Sequence, residues 1–116
     1  MALRLRRGDI VLVSLDPVVG SEQGKTRPAL VIQNDISNEH SPTTIVAPIT
    51  SRIYEKEYPT NVQISLKESG LKLESTVLFN QIRTIDKSRI LRRLGQLAPE
   101  LMQKADLAIK ASLGLV

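Results

Sequence analysis

Apolar residues over the first 97 positions occur in short runs bounded by turn residues, a pattern typical of β-strands. The runs predict six strands, at residues 10–15, 29–33, 43–49, 61–66, 75–82 and 90–97. Residues 61–66 alternate, which places Val62, Ile64 and Leu66 on one face of a half-buried strand. Pro48 cannot donate to a ladder, so an edge or a bulge is expected near it. The sequence therefore predicts a mainly β protein.

The segments between these runs are rich in turn residues and charges. We interpret residues 34–42 as a polar connection, 51–59 as an exposed loop, 67–70 as a turn and 85–87 as the start of a short connection. In the predicted strand at 75–82, Val77 and Phe79 share one side, and Leu78, Asn80 and Ile82 share the other.

The last stretch of the chain changes to helical spacing. Pro99 suits the first helical position, and the charge of Glu100 in the first turn favours the helix dipole. Apolar residues then recur at helical spacing from Leu101 to Leu113, and Gly114 suits a C-terminal cap. The whole pattern predicts a small, strongly bent antiparallel sheet or open barrel with a C-terminal helix packed on it.

Length and composition predict a single domain that spans residues 1–116. Hydrophobic residues form 41% and charged residues 24% of the chain, as in ordinary folded proteins. The absence of cysteine excludes disulfides and thiolate metal sites, and a single histidine makes a histidine-built metal site improbable. We expect no metal and no cofactor. The longest apolar runs fall far short of a membrane helix or a signal peptide, so no membrane partner and a cytoplasmic location are expected.

A formal net charge of +4 and a pI near 9.7 have the sign expected for a nucleic-acid partner. The chain contains three aromatic residues, Tyr54, Tyr58 and Phe79. A platform that stacks successive bases is hard to build from so few, so polar and backbone contacts should dominate RNA binding.

The stretch from Gly20 to Pro28 is a polar loop that ends at a residue with a restricted backbone. Two glycines permit unusual backbone angles, whereas Pro28 fixes φ where the next strand starts. Arg27 is thus held at the rigid end of the loop. Its guanidinium is a planar fork of donors that suits a phosphate, so we expect Arg27 to contact a phosphodiester.

A known family shares these segments in the same order. They are Arg7-Gly8-Asp9, Asp16-Pro17, Gly20-Ser21-Glu22-Gln23-Gly24, Arg27-Pro28, Val31-Ile32-Gln33-Asn34, Ser41-Pro42-Thr43, Thr50 and Gln81-Ile82-Arg83-Thr84-Ile85-Asp86. Over nearly its whole length the chain resembles the MazF/PemK-type toxin endoribonucleases, the mRNA interferases of toxin–antitoxin systems. The resemblance implies a homodimer of small SH3-like antiparallel barrels of the CcdB/PemK type. It also implies cleavage of single-stranded RNA, chiefly mRNA, at short sequences without a metal, and inhibition by a cognate antitoxin.

The same resemblance implies roles for individual residues. The family's catalytic arginine and threonine fall on Arg27 and Thr50. Ser21, Glu22 and Gln23 match the loop near the scissile phosphate, and Asn34, Gln81, Arg83 and Arg89 fall at positions similar to those that contact RNA. Apart from the resemblance, we expect base readout from the loop at 51–59, where Ser51 and Arg52 are candidate RNA contacts. Lys25-Thr26 stands where close relatives often carry a glycine-containing pair, and Asn80 stands where many carry an acidic residue.

Metal-free RNA cleavage uses the ribose 2′-OH as nucleophile and leaves 2′,3′-cyclic phosphate and 5′-hydroxyl ends. Arg27 would stabilise the charge that grows on the phosphate oxygens, and Thr50 would add a hydroxyl donor. A guanidinium stays protonated at cellular pH. Because its pKa lies far from the working pH, it is a poor general base. Glu22, on the same loop, is an easier proton acceptor and is our candidate for proton transfer.

Other interpretations of the same residues stay open at this point. A non-catalytic nucleic-acid binder or a toxin that poisons gyrase could use the same barrel, because fold does not fix function. A regulator that reads DNA by itself would need a helix suited to a major groove, although repression through an antitoxin complex remains compatible with the sequence. His40 lies in a polar loop and favours a solvated role, and Arg89, Arg92 and Arg93 fit a solvated face or an RNA track equally well. For the antitoxin we expect an acidic, extended segment that covers Arg27.

Overall fold

The computed structural model describes residues 4–65 and 70–115, which contain seven strands and two α-helices. The strands are β1 (Asp9–Ser14), β2 (Thr26–Val31), β3 (Thr43–Thr50), β4 (Asn61–Ile64), β5 (Ser75–Leu78), β6 (Arg83–Asp86) and β7 (Ile90–Gln96). The helices are α1 (Asp35–His40) and α2 (Pro99–Leu113), and short 3-10 turns occupy Phe79–Gln81 and Lys87–Arg89. The mainly β architecture with a C-terminal helix is confirmed.

The strands form one antiparallel sheet in the order β4-β5-β3-β2-β1-β7, and β6 also pairs with β3. The first half of β3, up to Val46, pairs with β6, whereas Ile49 and Thr50 pair with β5. Pro48 lies between these two pairings, where a missing N–H breaks no ladder bond on that side. The irregularity predicted at this proline is thus a change of partner strand.

Apolar side chains pack on both faces of the sheet. One cluster lies between the sheet and α2 and includes Ile10, Leu30 and Phe79 with Leu101 and Ala105 of the helix. The cluster on the other face contains Leu5, Val11, Val13, Leu15, Ala29, Val31, Val46 and Ile85. Because the central strands are covered on both sides, they read as continuous apolar runs rather than as strict alternation.

Helix α2 begins and ends where its sequence signals predict. Pro99 opens it, and Gly114 takes a left-handed conformation with φ of 72° that closes it. The hydroxyl of Ser112 donates a hydrogen bond of 2.7 Å to the carbonyl of Phe79, which ties the end of the helix to the 3-10 turn after β5.

The prediction of a polar connection over 34–42 was wrong, because this segment contains α1. Asn34 caps the helix by accepting a 2.9 Å hydrogen bond from the N–H of Ser37. Asn38 is buried, and its amide bonds the carbonyl of Gln33 at 2.9 Å and the hydroxyl of Thr44 at 2.7 Å. Polar residues that looked solvent-facing in the sequence thus satisfy one another inside the fold.

The single strand predicted over 75–82 was also wrong. β5 ends at Leu78, a 3-10 turn follows, and β6 starts at Arg83 and includes two of the residues assigned to a connection. The turn buries Phe79 against α2 and lets the chain pair with β3 a second time in a new register. In β4, Val62 and Ile64 are buried on one face as predicted, while Leu66 and residues 67–69 lie outside the described residues.

In the described part of the chain, no helix is long and apolar enough to cross a membrane.

Candidate active site

The loop between β1 and β2 is closed by hydrogen bonds across its base. The N–H of Leu15 donates to the carbonyl of Lys25 at 2.9 Å, and the N–H of Lys25 donates to Oδ1 of Asp16 at 2.8 Å. Lys25 has a φ of 65°, a left-handed conformation that side chains other than glycine rarely adopt. A Cβ on Gly24 would lie 2.5 Å from Oδ1 of Asp16, so the closed loop requires glycine there.

Arg27 is half-buried at the start of β2, and this loop orients its side chain. Its Nε donates to the carbonyl of Gly24 at 2.7 Å. Within residues 4–65 and 70–115, neither Nη atom of Arg27 makes a hydrogen bond or an ion pair. The side chain lines a cavity of about 590 Å³ whose wall also includes Ser51, Lys72 and Arg92. The guanidinium is therefore held in place with two nitrogens available to an anion.

Thr50 reaches the same end of the sheet from β3. Because β2 and β3 are antiparallel, the start of β2, which carries Arg27, and the end of β3, which carries Thr50, lie at the same edge of the sheet. Oγ1 of Thr50 accepts the N–H of Arg52 at 3.2 Å, and its hydroxyl hydrogen has no acceptor among the described residues.

Three residues predicted to contact RNA make hydrogen bonds to the loop between β1 and β2 or to its base. Oε1 of Gln81 accepts the N–H of Gln23 at 2.7 Å, and Nη1 of Arg83 donates to the carbonyl of Leu15 at 3.1 Å. Nη1 of Arg89 donates to the carbonyls of Ser14 at 3.2 Å and Asp16 at 2.6 Å. We call Gln81, Arg83 and Arg89 with Asp16 the loop clasp.

The 3-10 turn that carries Arg89 is itself capped. Oδ1 of Asp86 accepts the N–H of Ser88 at 2.8 Å. The hydroxyl and the N–H of Ser88 lower the pKa of the Asp86 carboxyl below its ordinary value, because both bonds favour the charged form. The cap stays ionised at neutral pH and fixes the start of the turn.

The other predicted site residues are spread more widely. Ser21 and Glu22 are exposed on the loop, and Oε1 of Glu22 accepts the N–H of Val19 at 2.5 Å. Ser51 and Arg52 are exposed just after Thr50, and the guanidinium carbon of Arg52 lies 4.5 Å from the ring centre of Tyr54. Asn34 caps α1 and has no contact with the loop clasp among the described residues.

Sequence reasoning missed Asp16 as an anchor of the loop, although the Asp-Pro pair and the nearby glycines marked a turn. It also did not distinguish the roles of Arg89, Arg92 and Arg93. Arg93 donates to the buried carboxylate of Asp9 at 2.9 Å, Arg89 belongs to the clasp, and Arg92 lines the Arg27 cavity. His40 is exposed, with Glu39 at 4.0 Å. The described residues contain no group of three histidines, cysteines or carboxylates placed to hold a metal.

Comparison with known proteins gives one consistent family. Residues 6–113 match the family of PemK-like, MazF-like toxins of type II toxin-antitoxin systems. The chain is 50% identical over 112 residues to endoribonuclease EndoA of Bacillus subtilis (strain 168), with 97% of each chain covered. Its fold matches a MazF crystal structure from Deinococcus radiodurans with a TM-score of 0.82, 27% identity and coverage of 97% and 99%. It also matches, at a TM-score of 0.79, 23% identity and 97% coverage of each chain, a mycobacterial endoribonuclease in complex with its cognate antitoxin. The chain thus belongs to the PemK/MazF family of toxins of type II toxin-antitoxin systems.

Proposed function

We propose that this toxin is a metal-independent endoribonuclease that cuts single-stranded RNA, chiefly mRNA, at short specific sequences in the cytoplasm. Residues 1–116 act as one toxin domain. The observation that carries the proposal is the register of β2 and β3, which directs Arg27 and Thr50 to one end of the sheet. The endoribonuclease named among its relatives, at 50% identity, supports the same activity.

The reaction needs an in-line arrangement of three atoms. The ribose 2′-oxygen attacks phosphorus, the bond from phosphorus to the 5′-oxygen breaks, and the 5′-oxygen takes up a proton. The products carry a 2′,3′-cyclic phosphate and a 5′-hydroxyl. The free Nη atoms of Arg27 bind the non-bridging oxygens as their charge grows, and the Thr50 hydroxyl donates to the same group.

The loop clasp contributes by fixing the loop before RNA arrives. Arg27 is oriented by the carbonyl of Gly24, and Gly24 is held between Gln23 and Lys25, which bond Gln81 and Asp16. A site arranged in advance stabilises the transition state without a reorganisation cost at the moment of reaction.

Glu22 is the candidate proton acceptor from the 2′-OH. One of its oxygens bonds the N–H of Val19, and the carboxylate is exposed on the loop that carries Arg27. A Glu22→Gln variant keeps the bond to Val19 and loses the base, so the acidic limb of its pH–rate profile should disappear. An unchanged acidic limb would exclude this role.

The proposed assembly is a homodimer that a cognate antitoxin inhibits. Any binding of this complex to DNA takes place through the antitoxin. Lys72 and Arg92 lie beside Arg27 around the cavity, which fits an acidic, extended antitoxin segment that covers the site. A mycobacterial structure with a similar fold contains its cognate antitoxin. Complex formation should weaken as salt rises, and salt-independent affinity would argue against the electrostatic part.

The decisive experiment incubates the protein with mixed-sequence single-stranded RNA in EDTA and maps the fragment ends. Discrete cuts with cyclic phosphate ends are expected from the wild type. Arg27→Ala should lose them, whereas Arg6→Ala, which removes the same charge from an exposed side chain, should keep them. Intact RNA with retained binding would identify a non-catalytic binding module instead.

A further inference from the structure

Both tyrosines of the chain lie together just beyond the candidate active site. The rings of Tyr54 and Tyr58 meet edge to face, with centres 5.9 Å apart and planes at 84°. Arg52 covers one face of Tyr54, and Tyr58 is 48% exposed. An aromatic ring left half in water on a loop is available for stacking.

A cavity of about 210 Å³ opens beside this pair. Its volume equals about seven times the share of one water in the liquid, which is ample for a single planar ring. Besides the two tyrosines, the wall contains three primary amides, from Asn61, Asn80 and Gln81. Each amide offers two donors and one acceptor group, as the edge of a nucleobase requires.

Two of the amides have bonding capacity left. The side chain of Asn80 makes no hydrogen bond among the described residues. Oε1 of Gln81 accepts the N–H of Gln23, whereas its amino group stays unbonded within the same part of the chain. The cavity therefore combines aromatic walls with unused donors and acceptors, a combination that suits a base better than an aliphatic group.

The cavity is tied to the candidate catalytic residues from two sides. Gln81 bonds Gln23 of the loop that orients Arg27. On the other side, the hydroxyl of Thr76 donates to the carbonyl of Arg52 at 2.9 Å, and Thr76 pairs with Thr50 across the strands. These bonds connect the cavity to the loop that orients Arg27 and to the strand that carries Thr50, and the Arg52 guanidinium adds positive charge beside Tyr54.

We propose that Tyr54, Tyr58, Asn80 and Gln81 form a binding site for one nucleobase and determine the base preferred at one position of the cleavage sequence. This inference rests on the proposed function for its substrate class. A single stacking site agrees with an aromatic content too low for a platform that stacks successive bases.

The test uses the fact that the chain has two tyrosines and no tryptophan. Full-length protein labelled with 3-fluorotyrosine gives two ¹⁹F signals, both from this site. The probe is a mixed-sequence 2′-O-methyl RNA, which binds but cannot be cut because its nucleophile is blocked. At least one ¹⁹F signal should shift and saturate in step with binding measured independently by fluorescence anisotropy.

Variants then test base choice on cleavable RNA. Asn80→Ala should weaken the preference at one position of the cut sequence by roughly 2- to 13-fold, the range of one lost hydrogen bond. Tyr58→Ala should weaken binding of the 2′-O-methyl RNA by roughly 5- to 150-fold, the range of one lost stacking contact. Tyr58→Phe keeps the ring and should keep the affinity. Ile36→Ala, at an exposed apolar residue of α1, is the matched control and should change nothing.

Three results would overturn the inference. One is RNA binding by anisotropy with both ¹⁹F signals unmoved, and another is a cut-site preference that is the same in Asn80→Ala and the wild type. A ¹⁹F shift caused by an acidic antitoxin peptide and not by RNA would also overturn it, since the cavity would then bind protein. If RNA shifts the signals and the wild type cuts no RNA, the proposed nuclease activity fails while the base site stands.

Discussion

The N–H of Gln23 donates to the side-chain oxygen of Gln81 at 2.7 Å, a bond between residues 58 positions apart. It joins the loop that orients Arg27 to the 3-10 turn after β5, which also lines the proposed base site. Occupancy of the base site and the position of the catalytic loop thus depend on one shared side chain. The identity of the bound base is thus coupled, through Gln81, to the residues proposed to cut the RNA.

Loss of the Gln81 acceptor should loosen the loop. We expect Gln81→Ala to expose the Gln23 N–H and speed its hydrogen exchange roughly 2- to 13-fold, equivalent to a net hydrogen bond of about 0.5–1.5 kcal/mol. Gln81→Glu keeps an acceptor at the same position and should keep the protection. Native-state exchange followed by NMR is the measurement, and equal protection in Gln81→Ala and the wild type would contradict the bond.

Arg89 should act by holding the loop rather than by binding phosphate. Its Nη1 bonds the carbonyls of Ser14 and Asp16, so Arg89→Met is expected to lower kcat/KM by about tenfold or more through a misplaced loop. The salt dependence of RNA affinity should stay unchanged. A phosphate contact would instead remove roughly 0.7 from the slope of log affinity against log salt.

Arg92 provides the matched control for this experiment. It is exposed and lines the Arg27 cavity, and no hydrogen bond of its side chain is found among the described residues. Arg92→Met should reduce the salt slope by roughly 0.7 and leave the loop in place. A reduced slope in Arg89→Met as well would assign Arg89 to the RNA track.

The sequence was sufficient where local signals decide structure and insufficient where distant partners do. Helix α2 carries its own cap signals, so its start at Pro99 and its end at Gly114 could be predicted. The burial of Asn38 could not be predicted, because its partners, Gln33 and Thr44, reach it only in the folded chain. Arg27 was named from its place at the rigid end of a polar loop and Thr50 through family resemblance, whereas their place at the same edge of the sheet depends on strand pairing that no local pattern encodes.

The backbone of Lys25 should prefer glycine to a β-branched residue. Its φ of 65° costs an L-residue about 1–2 kcal/mol, and a β-branched side chain suffers most. We therefore expect Lys25→Val to be less stable to urea than Lys25→Gly by roughly 1–2 kcal/mol. Thr26→Val, one residue later on an exposed strand position, should change stability by less than about 0.5 kcal/mol. Equal stabilities of the two Lys25 variants would exclude the left-handed conformation.

The Thr50 hydroxyl should matter for catalysis more than for folding. Thr50→Val keeps the shape and removes the donor, so kcat is expected to fall roughly 10²- to 10³-fold, as when one donor to a developing oxyanion is lost. KM should change little, because the bond strengthens in the transition state. Thr50→Ser should retain most of the rate. Single-turnover cleavage at saturating protein measures the effect, and a Thr50→Val variant as fast as wild type would remove Thr50 from the mechanism.

Asp35 should make part of the stability depend on pH. The N–H of Arg7 donates to its Oδ1 at 2.6 Å, and this bond is the main reason that the pKa of Asp35 lies below its ordinary value of 3.8. A carboxyl with a lowered pKa stabilises the fold fully above its unfolded pKa, and the contribution is lost as the pH falls through the folded pKa. Asp35→Asn keeps an acceptor for Arg7 and removes the charge.

At pH 7 we therefore expect Asp35→Asn to be less stable than the wild type by no more than about 1 kcal/mol, since the group is exposed to solvent screening. The difference should shrink as the pH falls below 3.8, where the wild-type carboxyl also becomes neutral. Urea unfolding at a series of pH values measures it, with Glu57→Gln, at an exposed loop residue, as the control. A difference between Asp35→Asn and wild type that stays constant from pH 7 into acid would show that shape, and not charge, is what Asp35 contributes.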